Sequence, residues 1–292
     1  MLRHVGSAVI AVTSTGQQGA AVVASDQTSI NFQSTGGKDP TLIFVHGFAC
    51  SLSDWDGQVK SLSTNYRCTA LDLPGHGKSA MPDEPTIEAL AKAVNVVKDR
   101  VSPGNAILIG HSMGCRVILE AFLQSRANIA GLVFVDGSIL GGDPETGVAK
   151  ARDAIATVGI EAFSQRLFND MFLPGADEQQ KQRIMTQAAS IDPKFREELF
   201  VNLVRWDLTK SRDGLKRLTV PALVLQSTYL TSELKRAPIQ AGMTTPWMDV
   251  VSQLAAKPEA RIIPNSGHFP MIDAVQATNR EIGEFALRAQ GA

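Results

Sequence analysis

The chain has 292 residues, of which 44% are hydrophobic and 20% charged, with a formal net charge of −1. That length supports one large buried core with an added excursion. The balanced charge, with no stretch that gathers Lys and Arg, lacks the electrostatic footprint of a nucleic-acid or anionic-membrane partner.

In chain order, Arg3 and His4 precede the run from Val5 to Val12, a faint signal-peptide outline diluted by Gly6 and Ser7. A strand-like start on a cytoplasmic protein is the expectation, with export the other reading. Ala20–Ser25 and Thr28–Ser34 read as a hairpin joined near Asp26-Gln27. Thr41–Val45 is a continuous apolar strand that stops at His46-Gly47, and Asp54–Ser63 suits a short helix. Arg67–Leu71 is the next strand and runs into Asp72-Leu73-Pro74-Gly75-His76-Gly77. Thr86 caps a helix with Ile87, Leu90, Ala91, Val94, Val97 and Val101 at helical spacing, ended by Pro103-Gly104. Ala106–Ile109 is a strand, followed by a helix from Met113 to about Arg126, and then the strand Leu132–Val135 up to Asp136. Pro221–Leu225 and Arg261–Ile263 read as the remaining strands, and Ala274–Ala289 as the closing helix.

Continuously apolar strands that alternate with amphipathic helices predict an α/β fold, a mostly parallel central sheet flanked by helices. The interval from Ser138 to Leu218 breaks that rhythm with helical segments and no strand. Some 80 residues without regular structure would be out of place in a compact domain, so an inserted helical cap (lid) is expected. The predicted division is a core of residues 1–137 and 219–292 and a cap of residues 138–218. No apolar run reaches bilayer-spanning length. Cys50, Cys68 and Cys115 form no C-x-x-C pair; their odd number fits a reducing compartment, and small apolar filler is their expected role.

Chemistry enters at Gly110-His111-Ser112-Met113-Gly114, which lies between a strand and a helix. A serine hydroxyl is a poor nucleophile unless a sharp turn displays it to a base, and G-x-S-x-G in this context is a nucleophile elbow. Side chains at Gly110 or Gly114 would crowd the strand-to-helix packing. Together with His46-Gly47-Phe48 and Gly267-His268-Phe269-Pro270, in this order at strand ends, the motif makes the chain resemble an α/β-hydrolase with a helical cap, from about Ala20 to Ala289.

The resemblance implies a Ser-His-acid triad with Ser112 as nucleophile and His268 as general base, and an oxyanion hole made by the backbone N–H groups of Phe48 and Met113. Two carboxylates compete for the acid. Many relatives carry an Asp in the loop after the strand equivalent to Ala222–Leu225; here that loop, Gln226 to Glu233, has no Asp, and Glu233 comes late. The second known place is the end of the strand after the nucleophile helix, occupied by Asp136, as in haloalkane dehalogenases and some lactone hydrolases. Asp136 is preferred, with Glu233 the alternative. Asp72 reads as structural support for the oxyanion loop, and Glu120, Asp143 and Asp273 as solvated charges or caps.

Serine rather than aspartate at the elbow implies acyl transfer on a small carboxylic ester. The Phe, Met, Leu and Trp content of the cap favours an apolar or aromatic substrate. Lactonase, amidase, carbamate-hydrolase and carbon–carbon hydrolase activities share the triad; the last needs a carboxylate site, for which Arg116, Arg166 and Arg205 are candidates. A small-molecule receptor with slow turnover is the non-enzyme reading. The Cys and His residues lack ligand spacing and no phosphate loop is present, so neither metal nor cofactor is expected.

Overall fold

The computed structural model describes residues 10–12, 18–23, 29–231 and 235–290. A nine-stranded sheet organises them, in the order β1-β2-β3-β5-β4-β6-β7-β8-β11. β1 (Ile10–Val12), β2 (Gln18–Val23) and β3 (Ser29–Thr35) form an antiparallel edge. β3 joins antiparallel to β5 (Arg67–Leu71), and from there the sheet is parallel: β4 (Thr41–Val45), β6 (Ala106–His111), β7 (Ile129–Val135), β8 (Ala222–Gln226) and β11 (Pro258–Ile262). The apolar runs of β4, β6 and β8 are buried along their whole length, as a sheet covered on both faces requires.

A 3-10 turn at Leu52–Trp55 leads into α1 (Asp56–Leu62). α2 (Ile87–Val101) starts where Thr86 Oγ1 accepts from Ala89 N at 3.2 Å. α3 (Met113–Gln124) follows the elbow, and α10 (Val275–Gln290) closes the chain. No helix among the described residues is long and apolar enough to cross a membrane.

Four helices lie between β7 and β8: α4 (Pro144–Val158), α5 (Ile160–Asn169), α6 (Glu178–Ala189) and α7 (Pro193–Lys216). Asp143, Asp177 and Asp192 cap three of them, accepting from the N–H groups of Thr146, Gln180 and Phe195 at 2.9, 2.9 and 2.8 Å. Caps of this kind stabilise a helix by about 1 kcal/mol each. Val148, Ile155, Val201 and Val204 form an apolar cluster of their own, apart from the sheet core.

The insertion docks on the elbow helix through polar anchors. Arg116 of α3 pairs with Asp207 of α7 at 2.8 Å, both buried, and Trp206 Nε1 donates to Glu120 Oε2 at 2.9 Å. Glu120 is therefore a buried acceptor rather than the solvated charge its sequence context suggests, because α7 lies across it.

The elements that follow β8 depart from the expected layout. The last strand begins earlier, at Pro258, since an edge strand paired only with β8 is half-exposed and carries no continuous apolar run. α8 (Pro246–Leu254), capped by Thr245, precedes it, and the short α9 (Pro270–Asp273) follows it. β9 (Thr228–Leu230) and β10 (Arg236–Pro238) form a separate two-stranded ribbon just beyond β8.

Candidate active site

The carboxyl ends of β4, β6, β7 and β8 carry the loops that converge on Ser112, in keeping with the rule that open α/β sheets place their sites there. Ser112 has φ 54° and ψ −113°, an uncommon conformation for a residue with a side chain. Ala49 (φ 54°) and Asp136 (φ 45°) share the positive sign; the other two non-glycine cases among the described residues are Asn128 and Asn265, a residue type that tolerates it. Backbone strain is thus gathered at one rim of the sheet, a common signature of functional sites.

The elbow is locked by contact. A Cβ built on Gly110 would lie 2.3 Å from Gly114 O, and one on Gly114 would lie 2.5 Å from Val45 O. Ser112 N donates to Val135 O at 3.0 Å, tying the turn to the neighbouring strand. Gly47 lies so close to the elbow that an added Cβ would come within 3.3 Å of Ser112 Cβ, so the His46-Gly47-Phe48 loop abuts the serine. Met113 is the first residue of α3, where backbone N–H groups have no helical partner.

His268 follows β11 and is buried. Its Nδ1 lies 2.6 Å from Asp136 Oδ2. An ionised carboxylate only accepts, so Nδ1 carries the proton and Nε2 is the bare nitrogen. Nε2 takes no hydrogen bond from Ser112 Oγ or any other group among the described residues. The turn that presents the ring is pinned: His268 N donates to Met171 O of the insertion at 2.9 Å, His268 O is bonded to His111 Nε2 at 2.7 Å, and Asp273 accepts from Gly267 N at 2.8 Å.

Asp136 is fully buried with five hydrogen-bond donors. Oδ1 accepts from Ser227 N at 2.8 Å and Thr228 N at 2.7 Å; Oδ2 accepts from Thr228 Oγ1 at 2.5 Å, from Arg236 Nη1 at 3.1 Å and from His268. Burial alone would raise this carboxyl, but the proton and charge of His268 and the Arg236 guanidinium outweigh it and hold Asp136 below the usual carboxylate range. Burial lowers His268, the Arg236 charge lowers it further, and Asp136 pulls the other way; the balance is about 4. The neighbouring His111 is also held well below its ordinary value, by burial first and by His268 second.

Ser112, His268 and Asp136 therefore share one strand-end cluster, with Phe48 and Met113 beside the serine. Glu233 lies outside the described residues. Arg116 is consumed by Asp207, Ser138 and the carbonyl of Ser112, while Arg166 and Arg205 are exposed. Asp72 braces the loops behind the site, accepting from Leu52 N at 2.9 Å and Lys78 N at 2.9 Å. The three cysteines are buried, and burial pushes the Cys68 and Cys115 thiols up to about 12. Sequence reasoning missed Arg236 and the Ser227–Thr228 cradle. The available signal was the carboxylate itself, since a buried Asp demands several donors.

Apolar walls surround the cluster. Phe48 meets Phe200 of α7 edge-on at 5.6 Å between ring centroids, and Phe200 meets Phe163 of α5 at 4.8 Å. Phe172 stacks on Phe269 at 5.3 Å, and Phe269 packs against both His111 and His268.

A model of the alpha/beta hydrolase family matches residues 42–281, and the chain belongs to that family. The pimeloyl-[acyl-carrier protein] methyl ester esterase of Nitrosomonas europaea is 36% identical over 107 residues; the matched stretch is 37% of this chain and spans only 40% of that relative's length. The enzyme of the same name from Vibrio cholerae serotype O1 is 26% identical over 261 residues, 86% of this chain and 96% of its own. The structure of a thermophilic esterase from Thermogutta terrifontis superposes with a TM-score of 0.76 at 21% identity, covering 93% of this chain and 99% of that one, a likeness of fold.

Proposed function

We propose that the protein is a serine ester hydrolase acting on a small apolar or aromatic carboxylic ester through an acyl-enzyme. The observation that carries this reading is the buried His268–Asp136 pair held at the same sheet rim as the strained Ser112. The esterase names of the relatives support the bond type.

Ser112 Oγ attacks the carbonyl carbon while Nε2 of His268 removes its proton. Asp136 fixes the tautomer that leaves Nε2 bare and offsets the charge of the imidazolium. The negative charge on the carbonyl oxygen is met by the N–H groups of Phe48 and Met113, each such donor being worth roughly 3 kcal/mol in the transition state. The imidazolium then returns the proton to the departing alcohol, and water attacks the acyl-enzyme by the same steps in reverse. Nε2 engages Ser112 Oγ when substrate closes the site, since catalytic hydrogen bonds tighten in the Michaelis complex.

Helices α4–α7 act as a lid, and Phe48, Phe163 and Phe200 supply an aromatic wall next to the oxyanion loop. A carbon–carbon hydrolase would need a cation for a substrate carboxylate, and the two Nη atoms of Arg116 are already held by Asp207, Ser138 and the Ser112 carbonyl.

The test is turnover of p-nitrophenyl esters of graded acyl length by wild type and Ser112→Ala. Wild type should release many equivalents, and the variant should lose about 10⁴-fold or more. A Ser112→Ala protein that keeps its rate, or a wild type that stops at one equivalent, would overturn the assignment.

A further inference from the structure

In a Ser-His-acid arrangement the carboxylate has one cation to serve, the imidazolium that forms as the nucleophile attacks. Asp136 serves two. Arg236, the first residue of β10 in the β9–β10 ribbon, points its Nη1 at Asp136 Oδ2 (3.1 Å), the same oxygen that His268 Nδ1 approaches at 2.6 Å. The contact is a buried one: the Arg236 side chain is 9% exposed and Asp136 0%. Thr228 Oγ1 links the two, accepting from Arg236 Nη1 at 2.7 Å and donating to Asp136. The ribbon register sets this up, since Pro238 pairs with Thr228 and Arg236 with Leu230, and Ile239 N returns to Ser227 O at 3.0 Å. The same short loop that cradles Asp136 with two backbone N–H groups thus delivers a guanidinium to it.

We infer that Arg236 is a positioning residue of the site: by sharing Oδ2 of Asp136 with His268, it fixes the carboxylate's orientation and sets how much of its charge the imidazole feels. The inference rests on the roles proposed above for Ser112, His268 and Asp136. Its consequence is electrostatic. The groups facing His268 are Asp136 from the end of β7, Arg236 from the ribbon, His111 from β6 (ring centroids 4.6 Å apart), Arg116 from α3, and Asp273 of α9 through Gly267 N. The Arg116 charge is met by Asp207, and His111 stays neutral. Arg236 is therefore the cation that decides how strongly Asp136 can hold a proton on His268. With it in place the base stays neutral, and so competent, in mildly acidic solution; the cost is a weaker pull on the proton of Ser112.

The experiment is the pH profile of kcat/KM for wild type, Arg236→Gln and Arg236→Lys on a p-nitrophenyl ester, with NMR titration of the His268 ring in the same proteins. Removing an opposing charge at this range moves a titration by about 1–3 pH units. Arg236→Gln should therefore shift the acid limb and the ring titration upward together by about 1 unit or more, and Arg236→Lys should restore most of the wild-type profile. Equal loss at every pH in Arg236→Gln, with its acid limb unmoved, would reduce Arg236 to a brace and overturn the inference. Should Arg236→Gln fail to fold, Arg236→Met decides by the same ring titration: an upward shift of about 1 unit or more supports the inference, and an unmoved ring titration overturns it. Because the ring titration needs no turnover, it stands even where Ser112→Ala retains activity and the catalytic reading fails.

Discussion

In the sheet, β4, β6 and β8 bury every residue they contain, whereas α4 buries two of its fifteen residues, Val148 and Ile155, and α6 two of its twelve, Ile184 and Ala188. The two regions are held by different physics. Strand ends in a close-packed sheet have no freedom to drift, so residues as distant in sequence as Asp136 and His268 can meet at 2.6 Å. The insertion meets the sheet core along an apolar seam that includes Phe168, Met171, Phe195, Leu199 and Trp206, and is fastened there by polar contacts: Arg116–Asp207, Trp206–Glu120, Arg183–Asp54 at 2.9 Å, and the Met171 carbonyl on His268 N. Helices such as α4 and α6, with few buried side chains, open at lower free energy than the core.

The sharpest break of the comparison is at the rim. Asp136→Asn keeps the shape but cannot hold His268 in the tautomer with a bare Nε2, so ester turnover should fall about 10⁴-fold. Glu233→Gln should retain most of the activity. Steady-state rates on folded protein decide between them, and the opposite pattern would move the acid to Glu233.

Next in size is a pair of truncations, one in each region. Leu108 in β6 is 0% exposed, and Leu108→Ala should cost about 2–5 kcal/mol in urea unfolding. Ile155 in α4 is equally well buried, at 1%, but within the insertion's own small cluster. Ile155→Ala should speed amide exchange through α4 and α7 and leave β4 and β6 protected. Faster exchange in β4 and β6 as well would mean that the insertion and the sheet open as one unit.

The two regions also differ in how much of them the sequence discloses. Strands buried on both faces are apolar along most of their length, so β4, β6, β7 and β8 stand out, and β4, β6 and β7 end at turns that carry Phe48, Ser112 and Asp136. Ser112 is legible because its turn demands glycines on both sides, and His268 because Gly267-His268-Phe269-Pro270 follows the last strand. Asp136 is legible as a strand end but not as the partner of His268, since nothing local distinguishes it from Glu233. The start of β11 escapes, with only its end read from Arg261, because a half-exposed edge strand, Pro-Glu-Ala-Arg-Ile, need not be apolar. Arg236 escapes because its role depends on a two-stranded ribbon of three residues per strand, too short to leave a period. Glu120 looks solvated because the helix that covers it, α7, is some 80 residues away in sequence, and helix-on-helix contacts of that range leave no mark on either segment alone.

The smallest expected effect lies where sheet and insertion touch. His76, in the loop after β5, is buried against the ring of Phe195 of α7, with centroids 5.6 Å apart, and against His46 at 4.9 Å. Its Nδ1 is bonded to Pro74 O at 3.0 Å and its Nε2 has no partner. Burial lowers His76 to about 3, with His46 adding to the effect, and burial lowers His46 to about 4. In the unfolded chain both would titrate near 6.5, so between about 4 and 6.5 the unfolded state binds protons that the folded state refuses. Stability from this source is complete above about pH 6.5 and declines as pH falls below it, by at most about 1.4 kcal/mol per pH unit for each histidine. His76→Phe, which keeps an aromatic ring against Phe195, should flatten the decline by about one histidine's share in urea titrations between pH 6.5 and 5. An unchanged slope would show that the loop over His76 opens and lets the ring protonate without unfolding, and would place this seam on the insertion's side of the comparison rather than the sheet's.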